Sequence, residues 1–236
     1  MISIKMKQMV LGVALALSAL GGAQAATVAN LTITGGDFGM GAPGAANGAL
    51  ITAGSNPTIN MGSYAPSSLT AFLFFNKPVT TFIASSAAGA ANAYGTHAGI
   101  PSGTVTGSTI SVDLGGFYAN WNGTNFLQGT DPTGTVYTAG TPPVSGSSSL
   151  AATGTWTSTG TNTGNFDISW HSFITTTPFD GQTGYWHLTG TGNTVAAAPA
   201  PVPLPAAVWL LGSGLIGMVG VARRRKSGNA SGNMAA

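Results

Sequence analysis

Three histidines, His97, His171 and His187, and five aspartates, Asp37, Asp113, Asp131, Asp167 and Asp180, are the groups in the middle of this chain best suited to moving protons or holding a metal. His171 and His187 fall on segments predicted to be neighbouring strands. No carboxylate or third histidine stands at ligand spacing from them in sequence, so they are read as surface residues and no metal site is expected. A Ser-His-Asp triad can be assembled on paper from any serine-rich chain, but the G-x-S-x-G elbow is missing. Paired carboxylates for glycoside hydrolysis would have to come from scattered aspartates, because the chain has no glutamate. The calcium-loop pattern D-x-[DN]-x-[DN]-G is absent. Gly35-Gly36-Asp37-Phe38-Gly39 is glycine-rich but is followed by no lysine or helix that would hold phosphate. Without cysteine, thiol chemistry is excluded. The expectation is a chain that is not an enzyme and carries no cofactor.

Aromatic side chains offer a different chemistry, stacking on sugar rings. Trp156, Trp170 and Trp186 share a parity that predicts one common face, which is either a hydrophobic core or a flat platform. Trp121, set between Asn120 and Asn122 with Tyr118 close by, is the candidate for an exposed glycan contact through Trp121, Asn120 and Tyr118.

These residues must be positioned by strands. Ile110, Val112 and Leu114 alternate with Ser111 and Asp113; Phe166, Ile168 and Trp170 alternate with Asp167, Ser169 and His171; Trp186 and Leu188 alternate with Tyr185 and His187. Leu69 to Phe75 is denser and predicts a strand buried on both faces. Gly115-Gly116, Asn122-Gly123, Asp131-Pro132, Asn162 to Asn165 and Asp180-Gly181 are turn signals. The stretch from Thr153 to Thr191 predicts a three-strand meander over Thr153–Ser158, Asn165–Thr175 and Gly184–Thr191. Gly36 to Gly62, poor in strand formers, predicts a long loop. The fold class expected is all-β, an antiparallel sandwich or jelly roll over residues 26–195, flanked by an N-terminal signal helix and a C-terminal transmembrane helix.

Charge explains why the ends are set apart. Only 5% of the 236 residues are charged, against about 25% in ordinary soluble domains. Six of the seven basic residues, Lys5, Lys7, Arg223, Arg224, Arg225 and Lys226, lie in the end segments. The middle keeps Lys77 against five aspartates, so the net charge of +2 points to membrane topology and not to a nucleic-acid partner.

Lys5 and Lys7 precede an apolar run from Met9 to Leu20, then Ala23-Gln24-Ala25. The run makes about 18 Å of helix, short of a hydrocarbon core about 30 Å thick. Residues 1–25 therefore read as a signal peptide for a Sec-type translocase and signal peptidase, with Ala23 and Ala25 at the small-x-small site and cleavage before Ala26. At the other end, an Ala/Pro linker over 196–201 leads into Val202-Pro203-Leu204-Pro205-Ala206. Residues 205–222 carry no charge and make about 27 Å of helix. Prolines at a helix start lack an N–H that would have had no partner. Arg223-Arg224-Arg225-Lys226 then stops translocation, since each such residue costs about 2.5–3.5 kcal/mol at the bilayer centre. A polar tail, 227–236, follows. Both ends give one topology, with the middle outside the cytoplasm.

The order of Val202-Pro203-Leu204-Pro205-Ala206, a Trp209- and glycine-containing span, and Arg223 to Lys226 resembles the PEP-CTERM sorting tails, in their V-P-L-P-A variant. The resemblance covers residues 202–226. It implies recognition by exosortase, a membrane-embedded cysteine transpeptidase, in Gram-negative bacteria that make exopolysaccharide. The chain departs from the parent motif in having leucine for glutamate, as the variant does, and in continuing to Ala236. The function expected is an exported cell-surface or extracellular-matrix structural protein. It would pass through the inner membrane and associate with exopolysaccharide or biofilm. The alternatives are a secreted carbohydrate-binding module and a type I single-pass protein that keeps its anchor.

Overall fold

A computed structural model describes residues 24–41, 48–64, 67–84, 99–134, 136–139 and 144–196. Those residues form strands and turns, with no helix among them. The strands are β1 (Ala26–Met40), β2 (Ala49–Ala53), β3 (Thr58–Asn60), β4 (Ser67–Phe74), β5 (Lys77–Ile83), β6 (Ser102–Thr106), β7 (Thr109–Asp113), β8 (Phe117–Trp121), β9 (Thr124–Leu127), β10 (Val136–Ala139), β11 (Val144–Ser147), β12 (Ala152–Ser158), β13 (Thr163–Phe173) and β14 (Thr183–Val195). The described residues are all-β, and every pairing among them is antiparallel.

The long β1 organises the sheet. One of its edges pairs with β14 over nearly its whole length. The other is shared among β6 at Ala26–Thr27, β3 at Asn30–Thr32 and β2 at Gly35–Phe38. From it extend two arms. One runs β14, β13, β12, β7, β6 and returns to β1; the other runs β2, β4, β5, β8, β9. β10 and β11 make a separate two-stranded ribbon.

Alternation explains the second half of the chain. Ile110, Val112, Phe166, Ile168, Trp170, Trp186 and Leu188 are all buried, as the period-2 pattern requires when one face meets a core. β12, β13 and β14 pair in sequence order, as the predicted meander does. Gly115-Gly116, Asn122-Gly123, Asp131-Pro132 and Asp180-Gly181 fall at turns, but Asn162 to Asn165 does not, since β13 begins at Thr163. Asn122 and Gly123, at φ of 50° and 82°, close the β8–β9 hairpin in the doubly left-handed form that matches strand twist.

Two further expectations are corrected. Leu69 to Phe75 is not buried on both faces: Leu73 is 65% and Phe75 69% exposed. Phe75 and Asn76 take positive φ and turn the chain into β5, where Pro78 pairs opposite Leu73. Gly36 to Gly62 is not one long loop, since it holds the end of β1, all of β2 and all of β3. Glycine is required there by proximity, not by flexibility: a Cβ on Gly36 would lie 2.0 Å from the His187 carbonyl oxygen across the ladder.

The core joins both arms. The rings of Trp170 and Trp186 stack 5.8 Å apart, and Phe117 meets each edge-on at 5.3 and 5.1 Å. Phe38 from β1 and Phe72 from β4 close on Trp186 at 4.4 and 5.9 Å. At the centre lies a polar side chain, Gln128. Its Oε1 accepts from Trp186 Nε1 at 3.1 Å and from Ser172 Oγ at 2.9 Å, while its Nε2 donates to the Leu127 carbonyl at 2.8 Å. Its own carbonyl accepts from Trp170 Nε1 at 2.7 Å. The indole N–H groups of Trp170 and Trp186 are therefore both satisfied by one residue.

Candidate functional site

Parity puts Asp167, Ser169 and His171 on the outward face of β13, and Tyr185, His187 and Thr189 on that of β14. The register sets Ser169 opposite His187 and His171 opposite Tyr185. On the far side of β14, β1 brings Asp37 opposite His187. These strands, with Ser149 from the segment before β12, line an open cleft of about 500 Å³.

His187 is held at both ring nitrogens. Nδ1 lies 2.8 Å from Asp37 Oδ2, and Nε2 lies 3.0 Å from Asp167 Oδ1. Partial burial pulls its pKa down, but hydrogen bonds to Asp37 and Asp167, together with their charges, outweigh that, so the pKa is raised above the ordinary value. The folded protein thus holds this proton more tightly than the unfolded chain does. The resulting stabilisation is fully present below the unfolded pKa of about 6.5 and is lost as pH rises through the raised value. His187→Gln should therefore lower the unfolding temperature most between about pH 5 and 6.5. The deficit should shrink at higher pH. A deficit independent of pH, followed by circular dichroism, would contradict the charged bridge. The effect is modest, because the side chains of His187, Asp37 and Asp167 are 35%, 51% and 59% exposed.

His171 has a different partner. Ser149 Oγ lies 2.8 Å from its Nδ1 and accepts its backbone N–H at 3.0 Å, while the Ser149 N–H donates to the His171 carbonyl at 2.8 Å. Serine therefore sits on one histidine and the aspartates on the other. Among the described residues no single histidine links a serine to an aspartate, and no group of three or more His, Asp or Glu is placed to hold a metal ion.

The other sequence candidates are dispersed. Trp156, Trp170 and Trp186 are buried at 6%, 4% and 2% exposure, so their common face is core and not platform. Tyr118, Asn120 and Trp121 lie on β8 but on opposite faces. Trp121 turns inward, its Nε1 donating to the Phe74 carbonyl at 2.8 Å and its ring edge-on to Phe179. Tyr118 and Asn120 turn outward, Tyr118 stacked on Phe82 at 5.5 Å and Asn120 donating to Asn125 Oδ1. Burial raises the Tyr118 pKa. Ala25 is exposed just before β1, which begins at Ala26. His97, Ala23, Val202 to Ala206 and Arg223 to Lys226 lie outside the described residues. Among the described residues no helix is long and apolar enough to cross a membrane, and the expected span at 205–222 is not among them.

Sequence reading missed Asp37 as a partner of His187. The alternation on β13 and β14 carried enough signal to place Asp167 and His187 on one face. Nothing local, however, signals that β1 pairs with a strand 150 residues away.

Fold and site together define an all-β, antiparallel domain with a polar, histidine-centred cleft on the outward face of its longest strands. No family model, curated protein or solved structure matches the chain.

Proposed function

We propose that this chain is an exported cell-surface or extracellular-matrix structural protein, sorted through its C-terminal tail by an exosortase and associated with exopolysaccharide. Its β domain is a sandwich-like passenger between a cleaved signal peptide and a transmembrane helix. The observation that carries the reading is the order, in one short stretch, of Val202-Pro203-Leu204-Pro205-Ala206, an uncharged span and Arg223 to Lys226. An all-β domain whose last strand ends at Val195, next to the Ala/Pro linker, supports it. So does the separation of serine and aspartate onto different histidines, which favours a structural over a hydrolytic role.

The test is the intact mass of protein recovered from its native host. The mature form should begin at Ala26 and lack Arg223 to Lys226. Mature protein that still carries the basic cluster would remove the sorting step and leave a type I anchored protein.

A further inference from the structure

The cleft opens onto a longer polar surface. Stepping along the strands away from His187, successive cross-strand rows are Asp167–Thr189, Asn165–Thr191–Thr32 and Thr163–Asn193–Asn30. Neighbours are tied together: Asn193 Nδ2 donates to Asn30 Oδ1 at 2.9 Å, and the hydroxyls of Thr32 and Thr58 lie 3.0 Å apart. At the cleft end stands Tyr185, half-buried, its ring tilted against His171 at 6.0 Å. From Tyr185 to Asn193 the strand extends about 27 Å at ~3.4 Å per residue. The outward positions of β14 over that length are Tyr185, His187, Thr189, Thr191 and Asn193, so no aliphatic side chain interrupts them.

Such a surface selects its partner by exclusion and by match. Its aliphatic side chains, Leu50 opposite Asp37 on β2 and Val195 past Asn193, stand at its two ends, so its middle lacks the apolar centre typical of protein interfaces. Asp37 and Asp167 are more than half exposed, and Lys77, the one lysine or arginine among the described residues, lies on β5 in the other arm. Polyanions, including nucleic acids and uronate polymers, therefore meet like charge. A neutral polymer dense in hydroxyls meets complementary groups instead. Threonine hydroxyls and asparagine amides both donate and accept. Asp37 Oδ1 and Asp167 Oδ2 make no hydrogen bond among the described residues and can each accept from a sugar hydroxyl. The Tyr185 ring supplies an apolar face for one sugar ring.

We propose that the outward face of β13, β14 and β1 binds a neutral polysaccharide chain lying along β14, with one sugar ring seated in the cleft against Tyr185. This deepens the exopolysaccharide association above and rests on that reading for where the polymer is met. It uses a different face from the Tyr118 and Asn120 candidate, which lies on the other arm.

The experiment is calorimetric titration of the full chain in detergent micelles with neutral hexasaccharides (cellohexaose, chitohexaose, maltohexaose and mannohexaose) and with hexagalacturonate. At least one neutral hexasaccharide should bind, its disaccharide about tenfold or more weakly, and hexagalacturonate should not. Tyr185→Ala should weaken binding about tenfold. Asn193→Ala, at an exposed position remote from the core, should weaken hexasaccharide but not disaccharide binding, with an unchanged thermal midpoint. The proposal is overturned if no neutral hexasaccharide binds, if hexagalacturonate binds as well as the neutral probes, or if binding survives both substitutions. A failed titration would leave the mass of the mature protein as expected, and unprocessed protein would leave the titration intact, so the two readings fail separately.

Discussion

Gln128→Leu should lower the unfolding free energy by about 2–6 kcal/mol, since it orphans two buried donors at about 1–3 kcal/mol each. The donors are Trp186 Nε1 and Ser172 Oγ, which share Gln128 Oε1 as acceptor in a site where Gln128 is 1% exposed. Leucine fits the space approximately and is more apolar, so a simple burial argument predicts stabilisation. The opposite sign follows because only one side of each hydrogen bond has been removed. Trp170 serves as the internal control, because its indole donates to the backbone carbonyl of residue 128, which any side chain keeps. Adding Ser172→Ala to Gln128→Leu should restore part of the loss, since one orphan is then deleted with its partner. Chemical denaturation of the two single variants and the double variant measures this. Additive losses would mean that the knot is not a unit.

Trp186→Ala should cost about 3–5 kcal/mol, the range for emptying a large aromatic site. Trp186 is 2% exposed and is the ring on which Phe38, Phe72, Phe117 and Trp170 all converge. Those partners come from both arms, so the void would fall where the arms meet and not at a margin. Trp186→Phe keeps most of the packing and leaves Gln128 Oε1 bonded to Ser172, so its loss should be distinctly smaller. Equal losses for the two variants, measured by the same denaturation, would shift the weight from packing to the indole hydrogen bond.

What could be read from sequence divides along a physical line. Where one face is buried and one solvated, polarity must alternate, and Ile110–Val112, Phe166–Trp170 and Trp186–Leu188 therefore announced β7, β13 and β14. The turn at Asn122-Gly123 was legible because its backbone demands positive φ. β1 was not fully legible, because its second half is glycine-rich and its strand character is imposed by β14 and β2 on either side. The exposed Leu73 and Phe75 were misread because hydrophobicity alone cannot tell a two-sided core strand from a half-exposed one. The same limit governs the site. The outward set Asp167, Ser169, His171 was visible, whereas Asp37 arrives through a long-range register that no local pattern encodes.

The pairing of β1 with β14 also governs how the domain comes into being. Asn30 and Asn193, bonded side chain to side chain, are 163 residues apart. β1 thus waits, with one edge unfilled, for β14, the last of the described strands. Closing so large a loop is entropically costly and places the domain among the slow, non-locally wired β folds. Because β14 carries Trp186 and Leu188 into the core, packing is complete only when that strand docks on β1.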